Sequence, residues 1–342
     1  MLMFVIALEN CPLSELIVID DTYKERLELR RSILDNHPDD TYLCNPVCEP
    51  AVMELYEWVF GTYLPRRFPT MYKLVTYTQA PSELKAAVDY LYNITTGEYI
   101  PLKAPSAKEA LYTLGVNVDD EFLLLLPSST AADGSPIYHL QAFVTCFPSG
   151  FSTPDKLGLP LAGIHKPVPG YKAKLEKSMD RFFAKMETGK AVRRVNWSLT
   201  TNTKLFSLGG NHLYSGGVTH SGADTEAIDS KTSNPTQGEN AKTLDVSASD
   251  LVNAIEEQKK DVNLDDCRLR CERQTLHRLP KTKALVFGFK TYQYTLDEVK
   301  AAGDGPALAA AAEGLSQGSV PDMAFYKRAV VWGDKVTEYL RS

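Results

Sequence analysis

Apolar and polar residues alternate along this chain in two rhythms, and the switches between them lay out its elements. From Asp21 to about Leu34, DTYKERLELRRSIL spaces Tyr23, Leu27 and Leu29 among charges, which predicts a surface helix with Asp20 or Asp21 to cap its first turn. AVMELYEWVFGTYL, residues 51–64, repeats Val52, Leu55, Val59 and Tyr63 at helical spacing, and Pro65 and Pro69 end it. Residues 106–114 predict a short helix, and the apolar run DEFLLLLP, 119–127, suits a buried strand. After a turn at Asp133-Gly134, YHLQAFVTCF, 138–147, predicts a strand with His139, Gln141, Phe143, Thr145 and Phe147 on one face.

The helical rhythm returns from about Tyr171 to Thr188, where Leu175, Met179, Phe182, Phe183 and Met186 form one stripe that stops at Gly189. Such a stripe is ordinary core packing, and it is also what one flank of a flat cofactor would require. AVRRVNWSLTTN, 191–202, then sets Val192, Arg194, Asn196 and Ser198 against Arg193, Val195, Trp197 and Leu199, the period of a strand. Residues 207 to about 247 are rich in Gly, Ser, Thr and Asn and read as a long flexible insertion. A helix near 248–260 precedes a segment that becomes strand-like, with Leu285, Phe287 and Phe289 on one face, and two helices around 296–314 and 321–341 close the chain. This order predicts an α+β fold, an antiparallel sheet with helices stacked on one face, because regular βαβ alternation is missing. The expected divisions are a helical N-terminal region (1–100), a core (101–295) and C-terminal helices (296–342).

Composition narrows the function. With 342 residues, 44% of them hydrophobic, the chain can bury a sizeable core, and its formal net charge of -6 without a Lys/Arg cluster argues against a nucleic-acid partner. The six cysteines lack two-residue spacings, so neither structural zinc nor a disulfide framework is expected. No glycine-rich phosphate loop follows a strand. The apolar opening MLMFVIAL is interrupted by Glu9 and is too short to span a membrane, so a cytoplasmic protein is expected.

The most constrained candidate is His165, held in LAGIHKPVPGY, residues 161–171. Pro167 and Pro169 each fix φ and bias the preceding residue to extended conformations, so the imidazole has few ways to point. It reads either as a ring that hydrogen-bonds its own loop or as a ligand to a transition metal.

Four segments together carry a resemblance: AVMELYEWVFGTYLPRRFPTMY (51–72), FPSGF with KLGLPLAGIHKPVPGY (147–171), RVNWS (194–198) and RCERQTLHRLP (270–280). In this order they resemble the alpha subunit of the haem-dependent oxidative N-demethylases over about residues 18–340, the insertion excepted. The resemblance implies a PAS-like domain holding haem b and the oxidative loss of a methyl group, as formaldehyde, from a secondary amine such as dimethylamine. It also implies O2 as oxidant and NADPH electrons arriving through separate flavin and iron-sulfur partners, whose motifs this chain lacks. On that reading His165 is the iron ligand, ahead of His277 and then His139; His212 and His220 lie in the insertion and His37 in a polar turn. Arg194 and Arg278 would anchor propionates, since guanidinium pairs with carboxylates, or else make surface ion pairs. Tyr171 would reach the haem edge or plug the helix start. Asn196 would donate into the pocket, and Glu272 and Gln274 would face it, with Glu272 binding a protonated amine and relaying protons or else pairing with Arg270 or Arg273. The competing reading is a non-catalytic haem PAS module that senses gas or redox state.

Overall fold

The alternating segments pair as long antiparallel ribbons, and their two faces meet different neighbours. The computed structural model describes residues 8–84, 88–214 and 248–342. Its strands are β1 (Glu9–Asn10), β2 (Tyr42–Cys44), β3 (Tyr72–Val75), β4 (Tyr90–Asn93), β5 (Glu98–Pro101), β6 (Glu121–Thr130), β7 (Pro136–Val144), β8 (Ala191–Thr200), β9 (Arg268–Arg278) and β10 (Leu285–Thr295). Seven form one sheet in the order β1-β8-β9-β10-β6-β7-β2, with every neighbour antiparallel, and β3-β4-β5 form a small second sheet. The region before residue 100 therefore supplies both edge strands of the main sheet. The main helices are α1 (Tyr23–Asn36), α2 (Glu49–Trp58), α3 (Ala107–Asn117), α4 (Glu176–Lys185), α5 (Ala248–Asp261), α6 (Leu296–Ala301), α7 (Gly305–Gln317) and α8 (Ala329–Arg341). The class is α+β, as the element order predicts.

Helices cover both faces of the sheet rather than one. Leu124, Ala142, Val144 and Val286 pack beneath Leu34 of α1, Leu55 of α2 and Leu111 and Leu114 of α3. Further along the same face, Trp197, Leu199, Leu269 and Cys271 lie against Leu308 of α7 and Val331, Trp332 and Val336 of α8. The opposite face, carrying Leu125, Leu276 and Leu285, meets Phe183 of α4, Met186 and Leu161. Residues next to one another in a strand, such as Leu285 and Val286, thus enter different cores, as a period of two demands.

Strand β7 departs from simple alternation. Leu124 pairs with Ala142 but Leu125 with Leu140, so Gln141 is an extra residue that forms a bulge. Asn45 fixes it: its backbone N–H donates to the Gln141 carbonyl and its amide to Gln141 Oε1 at 2.7 Å. Beyond the bulge Tyr138 joins the α4 core while Ala142 stays beneath the helices of the other face. The single face expected for 138–147 is split for this reason.

Helix α1 is more than a surface helix. It buries Tyr23, Leu27, Arg30, Ile33 and Leu34, and the fully buried Arg30 guanidinium holds Glu121 at 2.6 Å, the Asp120 carbonyl and the Gly115 carbonyl. Gly115 lets α3 approach this closely, because a Cβ there would stand 2.7 Å from Leu34 Cδ1 and 2.8 Å from Val144 Cγ2. The polar segment expected to be an insertion from 207 is packed as far as residue 214: Asn211, His212 and Leu213 are buried, and Leu213 N–H donates to the Tyr326 carbonyl. Gly150 of FPSGF lies against it, its N–H donating to the Ser207 carbonyl. Residues 215–247, with His220, lie outside the described residues. At the C-terminus, four helices stand where two were expected: Gly303, at φ 78°, separates α6 from α7, and a single-turn helix, Met323–Tyr326, precedes α8.

Candidate functional site

The proline-bracketed loop gives His165 one orientation and one protonation state. It follows a single helical turn, Leu161–Ile164, and its Nδ1 lies 2.9 Å from the Leu161 carbonyl. A carbonyl only accepts, so Nδ1 carries the hydrogen and Nε2 the lone pair. Nε2 has no hydrogen-bond partner among the described residues. Burial, reinforced by the charges of Lys156 and Arg194, pushes the imidazole down to about 4, so it is neutral near pH 7. The ring stacks on Tyr171 at 4.5 Å and 11°. Gly170 brings Tyr171 there through a left-handed turn, φ 74°, where a side chain would also run into Val320. The Tyr171 hydroxyl is buried without a partner, and burial pushes the phenol up to about 12.

Beside this loop a mainly apolar cleft of about 310 Å³ opens between α4 and the sheet. Met179, Phe182 and Phe183 form its roof, Val192, Leu276 and Phe287 its floor, and Arg194 and Gln274 its polar end. The predicted stripe thus faces a cavity as well as a core, except that Leu175 points outward, 48% exposed. His165 does not line the cleft itself; it stands close enough to Arg194 for that charge to depress its ring.

Strand register assembles the remaining candidates. Arg194 is opposite Gln274 and Asn196 opposite Glu272. Arg194 Nε donates to Gln274 Oε1 at 2.7 Å, and Gln274 Nε2 donates to Glu272 Oε2 at 2.9 Å. This chain fixes the amide orientation, since only its oxygen can face a guanidinium and only its nitrogen a carboxylate. The Asn196 amide makes no hydrogen bond among the described residues. Arg270 Nε stands 3.9 Å from Glu272 Oε1, while Arg273 faces away and holds the Glu15 and Leu16 carbonyls, so Arg270 is the partner of the two expected.

Arg278 behaves differently from a propionate anchor. Its guanidinium donates to the carbonyls of Met186, Phe183 and Lys283 and to the Tyr138 hydroxyl. Those bonds tie the end of α4 to the sheet and use four of the five N–H donors, so the fork has no pair left for two-pronged binding of a carboxylate. The other histidines are similarly resolved. His139 uses both ring nitrogens, on Ser129 and the Gly158 carbonyl. His277 is buried on the opposite face against Trp58, with both nitrogens unpartnered, and burial pushes it down to about 4.

Sequence reasoning missed two of the four cations around Glu272, Lys156 and Lys327. The Glu272 charge acts on Lys156, Arg194, Arg270 and Lys327, and burial pushes both lysines down to about 8 despite it. Lys156 lies 3.6 Å over the Phe151 ring, and Lys327 donates to the Trp197 carbonyl. His212, set aside with the insertion, stacks at 4.5 Å on Tyr326. Lys156, in KLGLP within the quoted motif, carried a visible signal; Lys327 and His212 lie far away in sequence and carried none.

The donor types suit a haem: a neutral imidazole with a free Nε2 in the proline loop and, in the separate cleft that His165 does not line, an apolar slot with a guanidinium at its polar end. Among the described residues no group of three or more His, Cys, Asp or Glu could hold a metal unaided. No helix among them is long and apolar enough to cross a membrane. The family model described as haem-dependent oxidative N-demethylase, alpha subunit-like, matches residues 7–337, nearly the whole chain. The chain therefore belongs to the haem-dependent oxidative N-demethylase alpha subunit-like family.

Proposed function

We propose that this protein binds haem b through His165 Nε2 in a PAS-like sheet and removes a methyl group from a small secondary amine, dimethylamine-like, as formaldehyde. The balanced reaction is (CH3)2NH + O2 + 2 e− + 2 H+ → CH3NH2 + HCHO + H2O, with the electrons from NADPH through a separate flavin and iron-sulfur reductase. The observation that carries the reading is the His165 imidazole, neutral, stacked, tethered at Nδ1 and open at Nε2. Bound there, haem would supply the O2 chemistry that no side chain can perform.

The chain's own residues bind, orient and move protons. The Leu161 carbonyl raises the basicity of the ring it holds and fixes its tautomer. Arg194, with only Nε committed to Gln274, keeps its terminal nitrogens for an anionic group such as a propionate. Asn196 offers an uncommitted amide to a polar substrate atom. Glu272 Oε1 is the acceptor for a secondary ammonium and can take its proton, while Gln274 holds the carboxylate in place through Oε2. Met179, Phe182 and Phe183 exclude water from the cleft.

The test is spectroscopic and chemical. Protein loaded with haem is expected to show a Soret band that shifts with dithionite and CO, and to release formaldehyde when an amine and a reductase are supplied. His165→Ala is expected to lose normal haem loading; an unaltered spectrum rules out the ligand assignment.

A further inference from the structure

Helix α4 has two sides, and only the inner one has been used. Between residues 166 and 190 lie seven of the chain's 37 Lys and Arg but only three of its 43 Asp and Glu, leaving thirty against forty elsewhere. A segment of net charge +4 thus covers the cleft of a protein whose remainder carries -10. Lys166, Lys172, Lys177, Arg181 and Lys185 are all exposed and form no ion pair among the described residues. Lys177, Arg181 and Lys185 follow one another at four-residue intervals, so they make a single ridge along the helix. At 100° per residue that ridge lies on the back of the helix, away from Met179, Phe182 and Phe183 on the front.

The proposed reaction needs two electrons, which that reading takes from a separate reductase. The geometry points to the Lys177–Arg181–Lys185 ridge as the docking surface for an acidic one-electron donor protein. This rests on the haem reading above and adds to it the place and the chemistry of the partner. Each delivery moves one electron, oxidising the donor's reduced iron-sulfur centre and reducing ferric to ferrous haem. An anionic membrane is the poorer occupant, because the apolar side that an interfacial helix would insert is already packed on the sheet. Opposite charge would also steer the donor to this ridge, since the rest of the chain carries a net charge of -10.

The test uses the full chain and an acidic [2Fe-2S] ferredoxin as probe. Its affinity is measured by calorimetry with and without haem, and haem reduction by stopped flow. Affinity for the native chain is expected to fall by about tenfold or more between about 20 and 300 mM salt, as the screening length drops from about 20 to about 6 Å. The triple variant Lys177→Glu, Arg181→Glu, Lys185→Glu is expected to bind and accept electrons at least about tenfold less well at low salt, with the salt dependence lost. Its Soret band and its reduction by dithionite are expected to be unchanged. The neutral triple variant, with Gln at all three positions, should fall between the two and guards against misfolding. Ferredoxin binding and reduction unaffected in both variants, with the Soret band intact, overturn the docking surface alone. Absence of any Soret band in haem-loaded native protein overturns the proposed function, whatever the ferredoxin does. Binding to phosphatidylserine vesicles that is lost in the triple variant while ferredoxin binding persists overturns the protein partner in favour of a lipid surface.

Discussion

The two faces of the main sheet solve opposite problems. On the face beneath α1, α2 and α3, buried charge is paired: Arg30 with Glu121 at 2.6 Å, and Lys290 with Asp20 at 2.8 Å and Asp119 at 3.1 Å. Around Glu272 of β9 charge is left unbalanced, with that carboxylate alone among Lys156, Arg194, Arg270 and Lys327, and His165 nearby keeps a lone pair with no protein donor among the described residues. The first face pairs its buried ions within the fold, whereas the second gathers cations around a single carboxylate. Buried groups without a partner occur on both faces, His277 on the first and Tyr171 on the second, so the excess of cations around one carboxylate and the open Nε2 of His165 are what set the second region apart.

That contrast can be broken by experiment. Arg30→Ala strands the Glu121 carboxylate in the interior and is expected to cost about 3–5 kcal/mol in denaturant unfolding. His165→Ala should cost far less; an equal loss would erase the distinction between the faces. Gly115→Ala, which drives a Cβ into Leu34 and Val144, is expected to cost about 1–3 kcal/mol, with haem loading unaffected.

Acid should act through the histidines. His277 and His165 are both held at about 4, below the ordinary value of 6.5. Each contributes stability that is present above pH 6.5 and lost as pH falls towards 4. For His277, which makes no hydrogen bond, the loss by pH 5 is about 1–2 kcal/mol, and His277→Phe should remove it without harm at pH 7. An unchanged acid slope in that variant would sink the assignment. The smallest stability effect is expected of Gln274→Ala, under about 1 kcal/mol because the pair is only partly buried. Its turnover with amine should nevertheless fall by about tenfold or more as Glu272 and Arg194 lose their common spacer, which a formaldehyde assay measures.

Period-two and helical patterns made most of the fold legible: α1, α3, β8 and the α4 stripe fall close to where the residues predict them. The site was partly legible because Arg194 and Asn196, and Glu272 and Gln274, sit two apart on strands, which puts each pair on one face. That β8 and β9 would be neighbours, with Arg194 opposite Gln274, depends on long-range pairing that no local pattern encodes. Arg278 misled because its type suits a carboxylate, while its position at the end of β9 puts it within reach of the carbonyls that end α4. His212 was hidden for the converse reason: Gly and Ser around it signal mobility, yet Tyr326, more than a hundred residues on, supplies the surface it packs against.

The bulge at Gln141 gives β7 a double allegiance. A strand of strict alternation commits each side chain to one compartment for its whole length; one surplus residue lets the near half serve the structural interior and the far half the wall of the chemistry. Removing that residue would leave the hydropathy of the chain almost unchanged, yet it would turn Tyr138 away from Arg278 and unlatch the roof of the cleft. The register of one strand is thus a hidden determinant of whether the cleft can close.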